Sequence, residues 1–292
     1  MSYTFAFFGS DEFSIIVLEQ LIKAGYVPSL CITQPDKPKG RKLVLTPTPI
    51  KTFCIQNSIP VITPETLSTR EIVHYSQHGI ADTEPIQYDF FVVASYGKII
   101  SQKILDIPTH GCLNVHPSLL PQYRGASPIE TAILNDTKHT GVTIMLMDAQ
   151  MDHGPILMQR PHDFDTWPEN KKEVHDTLAT LGGEMLVETI EPFIQGKITP
   201  QTQDHTQATF THMIKKEDGK INLSDTDYTT YLKYLALTPW PGLFFFITKQ
   251  DKQIRVKIES AHFDQETGLV LDTVIPEGKS SMSFESFKNG YL

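Results

Sequence analysis

Short apolar runs alternate with segments of helical period from the N-terminus to about residue 194, and this alternation restricts the fold more than any other feature. Residues 3–8 (YTFAFF) stop at Gly9 and lack the polar alternation of a half-exposed strand, so a strand buried on both faces is expected. Residues 12–24 then place Phe13, Ile16, Val17, Leu21 and Ile22 at helical spacing, with Gly25 as a stop. Residues 27–33 and 60–62 read as further strands and 88–95 (YDFFVVAS) as the strongest strand of the chain. Runs at 111–115, 141–147 and 154–160 follow, and helices are expected over 50–57, 70–78, 127–135 and 168–194. The pattern predicts an α/β domain with a mostly parallel sheet covered by helices, Rossmann-like in layout.

The pattern changes after residue 195. Residues 196–208 (GKITPQTQDHTQA) have almost no large apolar side chains and read as a linker. Beyond them come one helical segment, 224–237, and strand-like runs at 243–248, 253–259 and 268–275, which suit a small C-terminal β-barrel. The expected division is therefore 1–195 for the first domain, 196–208 for a linker and 209–292 for the second domain. A chain of 292 residues agrees with two domains, because a single core stops growing near about 250–300 residues.

Charge argues against a broad nucleic-acid surface. The chain has net charge −9, and residues 208–292 carry 10 Lys/Arg against 11 Asp/Glu. Any RNA contact must come from a local basic patch. One such patch lies in the proline-rich loop 34–49, where Lys37, Lys39, Arg41 and Lys42 cluster. The three cysteines, Cys31, Cys54 and Cys112, sit far apart in apolar stretches and read as buried free thiols in a reducing cytoplasm. The N-terminus lacks the basic start and unbroken apolar run of a signal peptide, and no stretch is long and apolar enough to span a membrane.

Three segments could carry chemistry. FFGSDEF at 7–13 has one glycine where a dinucleotide fingerprint needs three, so NAD is not expected, and Ser10 and Asp11 read as helix-capping residues. GCLNVHPSLLP at 111–121 puts Asn114 and His116 at the same parity on a strand, so both emerge on one face at its C-terminal end. Parallel α/β sheets place their active sites there. MDAQMDHGP at 147–155 offers Asp148 and Asp152, either of which could orient the His116 ring; both could equally be turn formers. Two carboxylates are too few oxygens for a divalent-metal site, and His74 and His78, though at ligand spacing on a helix, have no evident third partner. No metal is expected.

Taken together, NVHPSLLPQYRGASPI (114–129), TGVTIMLMDAQMDHGPIL (140–157), VVASYGKII (92–100), TQPDKPKGRKL (33–43) and TPWPGLFF (238–245) resemble the methionyl-tRNA formyltransferases, from Phe7 to the C-terminus. The Asn-x-His…Asp core is common to enzymes that use 10-formyltetrahydrofolate; the basic loop and the PWPG segment point to the tRNA member. The resemblance implies an α/β formyltransferase domain and an OB-like second domain. It implies formyl transfer from 10-formyltetrahydrofolate to the amine of the initiator methionyl-tRNA, by a cytoplasmic monomer without a metal. Asn114 and His116 would hold the oxyanion, and Asp152 rather than Asp148 would support the ring. Ser118, Leu119, Leu120 and Pro121 would contact folate, and Ser95, Tyr96 and Gly97 would line the pterin pocket. Lys37, Lys39, Arg41 and Lys42 match the loop that meets the acceptor stem.

Two departures stand out. His153 follows the aspartate where a small or hydroxyl residue is usual. The second domain is short between 260 and 287 by about 20 residues, roughly two strands with their turns. Rival readings are an aminosugar-nucleotide formyltransferase, a formyltetrahydrofolate hydrolase and a noncatalytic RNA-binding protein.

Overall fold

A computed structural model describes residues 3–40, 43–76, 79–80 and 84–292. It divides into two compact units. The first comprises residues up to Gly125, Thr140–His162 and His175–Phe210; the second comprises Ala126–His139, Asp163–Val174 and Thr211–Leu292.

In chain order the first unit begins with β1 (Phe5–Gly9), α1 (Glu12–Lys23) and β2 (Leu30–Ile32). A two-stranded ribbon, β3 (Lys37–Lys39) and β4 (Val44–Thr46), precedes α2 (Pro49–Gln56) and β5 (Val61–Ile62). Helix α3 (Thr69–Val73) leads into a second ribbon, β6 (Tyr75–Ser76) and β7 (Gly79–Ile80). Then come β8 (Phe90–Ala94), α4 (Gln102–Leu105), β9 (Cys112–His116) and β10 (Arg124–Gly125). After α5 (Pro128–Leu134), the chain forms β11 (His139–Leu146), β12 (Ile156–Asp163), α6 (Lys171–Ile194) and β13 (Phe210–Thr211).

The main sheet has seven strands in the order β12-β11-β9-β8-β1-β2-β5. Strands β5, β2, β1, β8 and β9 are parallel, and β11 runs antiparallel to β9. Every residue of β1, β8 and β9 is buried, as their unalternating sequences demand. Phe8, Tyr88, Phe91, Tyr96, Ile100, Ile104 and Cys112 share one core cluster. On the other side Phe5 and Phe90 stack with ring centroids 4.9 Å apart. Asp11 caps α1 by accepting from the Ser14 amide, and Ser68 with Glu71 forms a capping box on α3.

Local structure departs from expectation in three places here. Loop 34–49 is not irregular throughout: Lys37–Lys39 pairs with Val44–Thr46, and Pro38 is tolerated because a two-stranded ribbon consists only of edges. Helix α3 ends at Val73, with His74 as its C-cap, instead of continuing to 78; His78 lies outside the described residues. The stretch expected as a linker does not run free. Gln201 bridges Ile156, and Gln203 is buried in the first unit. Composition misled because a buried glutamine in a polar stretch leaves no periodic mark.

The second unit is a four-stranded sheet in the order β14-β15-β16-β17, formed by Phe244–Lys249, Lys252–Asp264, Gly268–Pro276 and Met282–Ser283. All its pairings are antiparallel, with an irregularity between Ile258 and Ala261 that bends the long strand. In that order β14 and β17 stand at the two ends, and an isolated parallel bridge from Lys220 meets β14 at Phe244. Helix α7 (Tyr228–Leu237) packs on α5, and the Tyr228 hydroxyl donates to Asp136 at 3.2 Å. Sequence reading missed α8 (Phe284–Tyr291), which Ser283 caps. Its signal was present: Phe284, Phe287 and Tyr291 lie at helical spacing, and Phe287 is fully buried against Phe245, ring centroids 5.9 Å apart.

Candidate active site

Strand β9 sets the first two groups. Asn114 pairs with Val93 of β8 on one side and Met145 of β11 on the other; His116 stands opposite Thr143. The strand pleat puts both side chains on one face, and they are 8% and 4% exposed. No hydrogen-bond partner of the Asn114 carboxamide is found among the described residues. The His116 Nε2 lies 3.1 Å from the Tyr123 carbonyl. A carbonyl only accepts, so Nε2 carries a proton and donates. That leaves Nδ1 facing the Asp152 carboxylate, with Oδ1 at 3.8 Å.

The turn after β11 supplies that carboxylate. Asp152 adopts φ +50°, a left-handed conformation that few non-glycine residues keep. Its Oδ2 accepts from the Gly125 amide at 2.7 Å. Asp148 points elsewhere: its Oδ2 is 2.7 Å from His153 Nδ1 and its Oδ1 accepts from the Gln150 amide. His153 in turn stacks on His205, ring centroids 3.9 Å apart and nearly parallel. Gly154 is required by close backbone approach, since a Cβ there would sit 1.9 Å from the Leu146 carbonyl oxygen. Gly154→Ala is therefore expected to destabilise the fold by about 1–3 kcal/mol or more, read as a lower urea midpoint. An unchanged midpoint would mean that the turn relaxes freely.

The other expected site residues divide between surface and interior. Ser95 and Gly97 are exposed, both at positive φ, and the Ser95 hydroxyl donates to Asp11 at 2.5 Å. Burial pushes the Asp11 carboxyl above its ordinary value, partly offset by the Ser95 hydroxyl and the Ser14 amide. Tyr96 points inward; its phenol is pushed up to about 12 by burial, and its hydroxyl has no partner among the described residues. The Tyr96 carbonyl accepts from Ser10 Oγ and Gln34 Nε2 at 2.8 Å each. Ser118 and Leu120 are likewise buried, whereas Leu119 and Pro121 are half-buried. The Ser118 hydroxyl is engaged by the Gln122 carbonyl at 2.6 Å. Lys37 and Lys39 are exposed on the β3–β4 ribbon, with Lys37 donating to Gln34; Arg41 and Lys42 lie outside the described residues.

Sequence reasoning missed Gly125 as a partner of Asp152, and it missed Arg124, Gln203 and His205 behind the turn. Arg124 and Gly125 registered only as turn residues. Among the described residues no group of three or more His, Cys, Asp or Glu side chains is placed to hold a metal, and no helix is long and apolar enough to cross a membrane.

A buried Asn-His pair at the end of a central strand, with a carboxylate brought to the ring from the turn after β11, is an arrangement that could support acyl-type transfer. The formyl transferase family model matches residues 4–190, and the formyl transferase C-terminal domain model matches 213–269. The methionyl-tRNA formyltransferase of Roseiflexus sp. is 42% identical over 247 residues, which span 83% of this chain and 72% of that protein. The methionyl-tRNA formyltransferase of Bacillus subtilis is 35% identical over 304 residues, covering 97% and 93%. Among solved structures, the N-formyltransferase of Helicobacter canadensis in complex with folinic acid and dTDP-3-aminofucose superposes with a TM-score of 0.61 at 17% identity, covering 90% of this chain and 89% of that one. At that identity the likeness concerns the fold alone. The chain belongs to the methionyl-tRNA formyltransferase family, whose members use folate donors.

Proposed function

We infer that this chain transfers the formyl group of 10-formyltetrahydrofolate to the α-amine of the initiator methionyl-tRNA, in the cytoplasm and without a metal. The observation that carries the reading is the placement of Asn114, His116 and Asp152 around one strand end, with Asp152 Oδ1 3.8 Å from His116 Nδ1. The relatives that set the acceptor are those named for methionyl-tRNA. The Asn114 carboxamide, which has no hydrogen-bond partner among the described residues, is a donor that fits a site receiving a carbonyl oxygen.

The donor folate supplies an activated formyl group. As the amine adds to the formyl carbon, negative charge develops on the formyl oxygen. The Asn114 amide and the protonated His116 ring stabilise that charge, the His116 Nε2–H turning from the Tyr123 carbonyl to the oxyanion. A proton on Nδ1 faces the Asp152 carboxylate, which orients the ring and accepts or relays the proton leaving the amine toward the departing N10. Exposed Ser95 and Gly97 with half-buried Leu119 and Pro121 offer the surface for the folate. The buried side chains of Tyr96, Ser118 and Leu120 act from beneath by fixing the backbone. We take residues 1–195 as the catalytic domain, 209–292 as the second domain, and the protein as a monomer.

An assay of purified protein with 10-formyltetrahydrofolate and three acceptors tests the reading: methionyl-tRNA, an aminosugar nucleotide and water. Formylmethionyl-tRNA as the dominant product supports it, and preference for either other acceptor overturns it. A further expectation concerns the basic loop 34–49. Neutralising Lys37, Lys39, Arg41 and Lys42 together raises KM for charged tRNA and leaves folate binding unchanged. Because phosphate contacts release counterions, log K for the variant also falls less steeply with log salt. Titrations at several salt concentrations check this; an unchanged slope would make the loop an ordinary solvated surface.

A further inference from the structure

The Asp152 turn is gripped from behind by a residue of the polar segment that follows α6. Gln203 is 4% exposed, although its sequence neighbours are exposed. Its Nε2 donates to the carbonyl oxygens of Asp152 at 3.0 Å and Gly154 at 2.7 Å. Its Oε1 accepts from Arg124 Nη2 at 2.6 Å and Nε at 3.2 Å. Both amide protons and both oxygen lone pairs are therefore used. The amide cannot be turned over, because a guanidinium only donates and a peptide carbonyl only accepts.

Arg124 is itself 3% exposed, and its Nη2 also donates to His205 Nδ1 at 2.9 Å. The peptide that follows it supplies the Gly125 amide bound to the Asp152 carboxylate. One short strand, β10, thus holds Asp152 twice: directly through Gly125 at the carboxylate, and through Arg124 and Gln203 at the backbone. The residue so held sits at φ +50°, a conformation that persists only where the surroundings over-determine it.

We propose that Gln203 is a positioning residue for Asp152: by bonding the carbonyls of Asp152 and Gly154 it fixes the turn so that the carboxylate stays against His116, with Arg124 locking Gln203 in that orientation. The proposal rests on the reading of Asp152 as a participant in formyl transfer. It gives the segment 196–208 a part in the site.

The test compares Gln203→Ala and Gln203→Glu in the full chain, with 10-formyltetrahydrofolate and methionyl-tRNA as substrates. Glutamate keeps the length of the side chain and its bond to Arg124 but has no hydrogens for the two carbonyls, so it serves where the alanine variant does not fold. Both are expected to lower kcat by about 10- to 100-fold, the scale of a small misplacement of a reacting group, with KM for both substrates unchanged. In an Asp152→Asn background, Gln203→Glu should add no further loss, because residues acting as one unit are not additive. Wild-type kcat in folded Gln203→Glu, or the same fold-loss in both backgrounds, would overturn the proposal. If Asp152→Asn itself keeps wild-type turnover while Gln203→Glu is slow, the reading of the site fails and this inference falls with it.

Discussion

Alanine at Asn114 or at His116 is expected to lower kcat by about 100-fold or more while the protein stays folded, because removal of one preorganised oxyanion donor costs on that order. The two substitutions differ in what they leave behind. Asn114 has no hydrogen-bond partner among the described residues, so its truncation orphans nothing and should leave stability close to wild type. His116 donates to the Tyr123 carbonyl at 3.1 Å. Its removal deletes that hydrogen bond from a buried ring, at a cost of about 1–3 kcal/mol. Circular dichroism and a denaturant titration should accompany the kinetics for this variant. Steady-state turnover near wild type in either folded variant removes the proposed mechanism.

The second large effect separates two aspartates that the sequence presents as near equals. Asp152→Asn should lower kcat by roughly 100-fold or more, comparable to loss of a transition-state donor. The amide can still accept from Gly125, so the turn keeps its hydrogen bond and only the charge beside His116 Nδ1 disappears. Asp148→Asn removes charge from a pair with His153, 2.7 Å away, whose side chains are 38% and 27% exposed. Exposed pairs contribute little, and this one does not touch His116, so its loss should be milder. A side-by-side kinetic comparison decides. The reverse ranking would show that the reaction runs through the other aspartate.

The position of His153 bears on the same ranking. As a titratable ring next to Asp152 it could have entered the site or pointed to solvent. It does neither fully: it pairs with Asp148 and lies flat on His205. The ring is thereby tied to the outer side of the turn, and Asp148 is occupied with it.

Much of the frame was legible in the residues. Unalternating runs such as FAFFG and FFVVA can only be strands with both faces covered, because neither face has polar side chains to give to water. Strand parity placed Asn114 and His116 on one face before any coordinates, since alternation in an extended chain is a local property. The helix cap at Asp11 follows from the same short-range chemistry. What tertiary structure alone decided is which groups meet. Asp148 and Asp152 are equivalent four residues apart in a turn; the left-handed backbone at Asp152 and the Gly125 amide send one of them to His116. Gln203 is one polar residue among many in 196–208, and nothing nearby in sequence says that it is buried against a turn 51 positions away. Ribbon pairing at Lys37–Lys39 and the edge strand Met282–Ser283 likewise depend on partners that periodicity does not name. Periodicity records which way a side chain faces; only the folded chain determines what it faces.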